Sequence, residues 1–123
     1  MYKIILASNS KVRKKILDES EIECKVFPSN VDEESAKKSL IKENASPEMI
    51  SKNLAELKAN KISLKFSGEI VLGADSVIDI NGELISKPKD RDEALKILKK
   101  LNAKTHHLIS SACISKNGSM IWN

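Results

Sequence analysis

The sequence predicts an α/β fold: a mixed, partly parallel sheet with flanking helices and β-hairpins. Three observations predict it. Short apolar runs alternate with stretches whose apolar residues recur at helical spacing, the order that βαβ packing needs. Two Asn-Gly pairs, Asn81-Gly82 and Asn117-Gly118, each separate strand-like runs and add antiparallel hairpins. The 123 residues, 41% hydrophobic and 31% charged, suffice for one modest core and lie outside disordered composition.

Residues 3–8 read as a short buried strand. Asn9, Lys11 and Arg13 follow at once, so this apolar start is a strand and not an export signal. Ser8-Asn9-Ser10 offers cap residues for a helix over Lys11 to Glu19, with Val12, Ile16 and Leu17 on one side. Cys24 to Pro28 is a second strand, with Cys24 and Val26 sharing one face. Asp32-Glu33-Glu34-Ser35 opens a helix through Ile41. Ser46-Pro47 starts the next, with Ser as N-cap and Pro at the first helical position. Its apolar stripe is Met49, Ile50, Leu54, Leu57 and Ile62, and it should end near Ser67-Gly68.

Glu69 to Ala74 is a buried strand by its continuous apolar run. Ser76 to Ile80 alternates, Asn81-Gly82 turns, and Glu83-Leu84-Ile85 returns. Asp90 to Glu93 is a capping pattern before a helix expected to bury Ala94, Leu95, Ile97, Leu98 and Leu101. His106 to Ser115 is a strand, and Ser119-Met120-Ile121-Trp122 its hairpin partner. So short a partner strand leaves apolar side chains and a sheet edge poorly covered. The expectation is that residues 1–123 form the N-terminal part of one domain that continues further.

The apolar runs are far shorter than a membrane span, so no membrane partner is expected. Cys24 and Cys113 stand alone, as reduced half-buried thiols in a cytoplasmic protein would. No Cys/His metal spacing occurs, so a metal must sit on oxygen ligands, which points to magnesium or manganese. The net charge of +4 favours anionic partners, but aromatics at 3% do not support a base-stacking nucleic-acid surface. A small phosphorylated ligand satisfies the charge equally well.

Ser8 to Lys15 sits where a strand feeds a helix N-terminus, which receives phosphate through free N–H groups and a positive dipole. Ser10 can add a hydroxyl and Arg13 a guanidinium fork. An ordinary capped surface helix reads the same way. Asp75, directly after a buried strand, is poised where α/β ligand sites form, to hold a divalent cation or take a proton from water. The alternative is a turn cap. Lys87 beside Pro88 is either aimed by the proline or a plain loop lysine. Lys58 borders the apolar stripe and either reaches inward or snorkels outward. Glu33 is a metal ligand or a dipole-favoured surface acid. His106 and His107 face opposite ways on a strand and are given no role. One acid, a metal carboxylate and several cations suit phosphoanhydride cleavage.

These segments, in this order and spacing, resemble the Maf family of nucleoside triphosphate pyrophosphatases. The matching stretches are Ile5 to Ser10 with Arg13, Pro28 to Glu33, Leu54 to Ala59, Leu72 to Val77, Asn81-Gly82-Glu83 with Lys87-Pro88, Ala94 to Leu101, and Thr105-His106-His107. The resemblance implies the mixed sheet of that family and a cytoplasmic, often dimeric enzyme. It implies conversion of a nucleoside triphosphate substrate to monophosphate and pyrophosphate with a divalent metal cation, Mg2+ or Mn2+. By the same resemblance Asp75 is the catalytic proton acceptor and, with Glu33, a metal residue. Ser10, Arg13, Lys58 and Lys87 match the phosphate-binding set. Two positions depart from the family. Val12 stands where an Arg is associated with thymidine and uridine selectivity, and Ser76 where Thr or Gln marks two substrate subgroups, so both are substrate-specificity positions. Family members are also longer. The competing expectation is a catalytically impaired remnant that binds nucleotide or nucleic acid.

Overall fold

The computed structural model describes residues 2–80, 83–85, 90–102 and 105–123. In chain order the elements are β1 (Tyr2–Leu6), α1 (Lys11–Glu19), β2 (Ile22–Val26), α2 (Glu33–Lys42), α3 (Pro47–Ser63), β3 (Val71–Ile80), β4 (Glu83–Ile85), α4 (Arg91–Leu101), β5 (His107–Lys116) and β6 (Ser119–Trp122). The six strands form one sheet in the order β2-β1-β3-β5-β6, with β4 pairing β3. β1 runs parallel to β2 and β3, while β3–β4, β3–β5 and β5–β6 are antiparallel. The sheet is therefore mixed and partly parallel, with four helices around it, as the alternation of apolar patterns predicts.

Local chemistry sets the helix starts. Ser10, Asp32, Ser46 and Asp90 each accept a hydrogen bond from the backbone N–H three residues on. Pro47 follows its cap at the first helical position. The Asn117-Gly118 hairpin needs two residues at positive φ, and they adopt 52° and 85°. Asn117 also ties the hairpin back, its Oδ1 accepting from the Gly68 N–H at 2.7 Å. The Asn81-Gly82 turn lies outside the described residues, but Ile80 pairs with Glu83 across it.

The core lies between α3 and one face of the sheet. Ile5, Ala7, Ala55, Ala59, Ile62, Val71 and Cys113 are buried together, and Ile50, Leu54 and Val77 form a second cluster under α2. Helix and strand meet closely at Gly73, where an added Cβ would lie 2.8 Å from Ala59 Cβ. Strand alternation sends Leu72, Ala74 and Ser76 of β3, and Leu108, Ser110 and Ala112 of β5, to the opposite face. There, together with Val12, Ile16 and Leu17 of α1, they border an apolar cleft of about 610 Å³.

Several expectations need correction. Asp75 does not follow a strand: residues 71–74 and 76–80 are parts of one ten-residue strand that runs through it, and Glu69 and Ile70 lie before its start. The break in pattern arises because β1 pairs with β3 only through Leu72. The face that α3 buries is Ile50, Ser51, Leu54, Ala55, Lys58, Ala59, Ile62 and Ser63, while Met49 and Leu57 stay exposed. Ala55 and Ala59 take part in that face because β3 approaches closely at Gly73. α3 also stops at Ser63, four residues early. Among the described residues α4 buries none fully, and Leu95 and Leu98 are exposed. The cysteines are not half-buried: both are buried and free. No helix among the described residues is long and apolar enough to cross a membrane.

Candidate active site

The end of β1 and the start of α1 form one wall of a polar cleft of about 480 Å³. Ala7, Ser8, Asn9, Ser10 and Arg13 line it on that side, and Ser29, Asn30, Val31, Glu33 and Lys58 on the other. Ser10 caps α1, and no acidic residue stands in the helix's first turn, so its positive end is uncompensated. Ser8, which is buried, accepts from the Ser10 N–H at 3.1 Å and from Arg13 Nη1 at 3.2 Å. The second arm of the guanidinium, Nη2, donates to Ser76 Oγ at 3.4 Å.

Opposite stands an ion triad of Lys58, Asp75 and Glu33, the last with its side chain 30% exposed. Asp75 is 4% exposed and Lys58 6%. Lys58 Nζ lies 2.6 Å from Glu33 Oε1, 3.1 Å from Asp75 Oδ1 and 3.4 Å from the Ala74 carbonyl oxygen. An ammonium has three donors, and these three acceptors take all of them. Asp75 is held from behind as well, because buried Ser51 donates to its backbone carbonyl at 3.1 Å. Its other carboxylate oxygen, Oδ2, is buried with no hydrogen-bond partner among the described residues.

Glu33 reaches the triad because Asp32 starts α2 one residue before it. The Ser35 backbone N–H at 3.1 Å and hydroxyl at 2.8 Å hold the Asp32 carboxyl below the usual aspartate range. Lys61 donates to the Asn30 carbonyl at 2.9 Å, fixing the loop that lines the same side of the cleft.

Of the residues singled out from sequence, the fold thus brings Ser10, Arg13, Glu33, Lys58, Asp75 and Ser76 to one place. Val12 is 68% exposed and borders the apolar cleft, as do Ser76 and Asp75. Arg13 and Ser10 line both clefts, so the polar and apolar hollows meet at them. Lys87 lies outside the described residues. Sequence reasoning missed the roles of Ser8, Ser51 and Ser110. Ser8 is marked in the sequence only as part of the segment before α1, and Ser51 lies seven residues before Lys58 on the same face of α3.

Among the described residues no cluster of three or more His, Cys, Asp and Glu side chains is placed to hold a metal alone. Magnesium, however, is commonly bound by one or two carboxylates with substrate phosphates and water completing its shell. The carboxylates of Glu33 and Asp75 fit that donor chemistry.

A family model described as Maf-like protein matches residues 3–123. The chain is 71% identical over 120 residues to a nucleoside triphosphate pyrophosphatase of Pelagibacter ubique, covering 98% of this chain and 62% of that protein. It is 39% identical over 121 residues to a dTTP/UTP pyrophosphatase of Pyrococcus furiosus, covering 98% and 60%. A 7-methyl-GTP pyrophosphatase of Brucella abortus is 33% identical over 120 residues, with 98% and 60% covered. The chain spans about three fifths of the length of these relatives.

Proposed function

The chain belongs to the Maf-like protein family, and from that premise we propose that it is a nucleoside triphosphate pyrophosphatase, releasing nucleoside monophosphate and pyrophosphate. One observation carries the reading: a buried carboxylate, Asp75, fixed by Lys58 through one oxygen and lining one cleft with Ser10 and Arg13 at a phosphate-receptive helix end.

On this reading Arg13, Ser10 and the N-terminus of α1 bind the phosphates. Asp75 Oδ2 accepts a proton from water as the water oxygen bonds to the α-phosphorus. The bond from that phosphorus to the bridging oxygen breaks, and pyrophosphate leaves. Glu33 and Asp75 would hold the divalent cation, Mg2+ or Mn2+, which when bound neutralises phosphate oxygens. Lys58 orients Asp75 first, since contact with phosphate requires one of its three present bonds to break. Lys87 is assigned to the phosphates on the family resemblance alone.

The apolar cleft beyond Arg13 suits the nucleoside. Val12 and Ser76 on its rim would then set base preference, and the relatives' names span 7-methyl-GTP and dTTP/UTP. Two free buried thiols agree with a cytoplasmic setting.

The test is pyrophosphate release over a panel of nucleotides with magnesium, for the parent chain and Asp75→Asn. Loss of release in the variant with its circular dichroism retained is expected. Unchanged turnover sinks the assignment. Salt-dependent nucleotide binding with no product from the parent would instead favour a binding remnant.

A further inference from the structure

We propose that Ser110, on β5, is a positioning residue for Arg13, acting through Ser76. The proposal rests on reading Arg13 as a phosphate ligand. Ser76 and Ser110 stand directly opposite each other in the β3–β5 ladder. Their hydroxyl oxygens are 2.8 Å apart. Ser76 Oγ in turn accepts from Arg13 Nη2, while Ser8 Oγ accepts from Nη1. Both arms of the fork are therefore anchored, one from the end of β1 and one from the β3–β5 ladder.

Anchoring at two points fixes the plane of a guanidinium and leaves its other N–H groups for an anion. Ser76 alone is a weak anchor, because it is exposed and a hydroxyl rotates freely. A second hydroxyl within hydrogen-bond distance pins that rotor, and a chain of bonds polarises toward the charged end. The surroundings point the same way. The neighbouring positions of this face are Leu72, Ala74, Leu108 and Ala112, which give two facing hydroxyls no packing reason to be there. Arg13 supplies the reason.

Two alternatives are separable from this. One is direct contact with the nucleoside, since Ser110 lines the apolar cleft; the other is a loosening of the sheet when Ser110 is lost. Inorganic tripolyphosphate distinguishes the first, because it has no nucleoside. A double-mutant cycle with Arg13 distinguishes the second.

The experiment measures magnesium tripolyphosphate affinity by titration calorimetry for the 123-residue chain, Ser110→Ala, Ser110→Thr and Ser110→Val. Each is repeated in an Arg13→Ala background, alongside KM and kcat for a nucleotide. Ser110→Ala is expected to weaken tripolyphosphate binding about three- to tenfold, the weight of one hydrogen bond. KM rises by a similar factor with kcat held within about twofold. Ser110→Thr restores affinity and Ser110→Val does not. In the Arg13→Ala background Ser110→Ala has no further effect. Unchanged tripolyphosphate affinity in Ser110→Ala, or a loss that persists without Arg13, overturns the positioning role alone. If the unsubstituted chain binds neither tripolyphosphate nor any nucleotide, the phosphate-site reading falls and takes this inference with it.

Discussion

Gly73→Ala tests whether the close contact of α3 and β3 sustains both fold and site. The new Cβ would lie 2.8 Å from Ala59 Cβ and 2.9 Å from Ala59 N, and closer still to the Ala55 carbonyl oxygen. Two of these are helix backbone atoms, which cannot rotate aside. Bringing the Ala59 Cβ contact alone to ordinary carbon–carbon separation requires the helix to move by about 0.7 Å. Overpacking of this kind costs about 1–3 kcal/mol, and the rigidity of the opposing atoms places Gly73→Ala near about 3 kcal/mol. For a chain of this length that is a fall of roughly 10 °C in Tm. Lys58 rides on α3 beside Ala59, so the same movement stretches its 3.1 Å contact with Asp75. Pyrophosphate release measured well below the melting temperature should therefore fall too. Gly68→Ala is the control. Gly68 has φ +77° but nothing within 4 Å of an added Cβ, so that variant should lose only about 1 kcal/mol. Thermal and urea melts followed by circular dichroism decide the matter. A Gly73→Ala chain melting within about 2 °C of the parent, or less affected than Gly68→Ala, would refute the reasoning.

Lys58→Met should destabilise by about 3–5 kcal/mol in urea, because it leaves the buried Asp75 carboxylate without its cation, and adding Asp75→Asn should recover part of that loss. Asp32 has a folded-state pKa below its ordinary value, so the stability it contributes is full above the usual aspartate range and is lost as pH falls through the folded value. Asp32→Asn should therefore flatten the acid limb of a urea-midpoint profile, and an unchanged limb would count against the cap. Burial pushes the Cys113 thiol up, so in a Cys24→Ser chain it should stay unreactive to a disulfide reagent at mildly alkaline pH until urea exposes it. Ser46→Ala should cost about 1 kcal/mol through loss of its bond to the Met49 N–H.

The features legible in the sequence are those decided within a few residues. Ser10, Asp32, Ser46 and Asp90 cap their helices as local chemistry demands. Asn117-Gly118 turns as its φ preferences require. Features decided by a distant neighbour were not legible. Apolar periodicity selects Met49 and Leu57 on α3, yet β3 comes so near that Ser51, Ala55 and Ala59 take the buried face. The apolar side of α4 is visible in the pattern, but the pattern does not say whether anything covers Leu95 and Leu98, which are exposed. In the site, Arg13, Glu33, Lys58 and Asp75 stand out by their charge and by the ordered resemblance. Ser8, Ser51 and Ser110 do not, since a serine that anchors a charged group looks like any other until the strands are paired.

The triad also changes what the cations are for. The family resemblance implies a phosphate role for Lys58, but its ammonium is held between Glu33 and Asp75. Two carboxylates around one ammonium leave that side of the cleft net negative, whereas Arg13 and the N-terminus of α1 keep the other side positive. A triphosphate entering such a cleft is drawn to the Arg13 wall and repelled from the triad, except where a divalent cation offsets the carboxylates. The negative side then suits a proton acceptor and a metal, and the positive side the leaving phosphates. Asp75 lines the apolar cleft while Glu33 and Lys58 line the polar one, so the triad spans the boundary between them. On the proposed function, a nucleotide with its nucleoside in the first and its outer phosphates in the second would bring its α-phosphorus to that boundary, beside the Asp75 carboxylate.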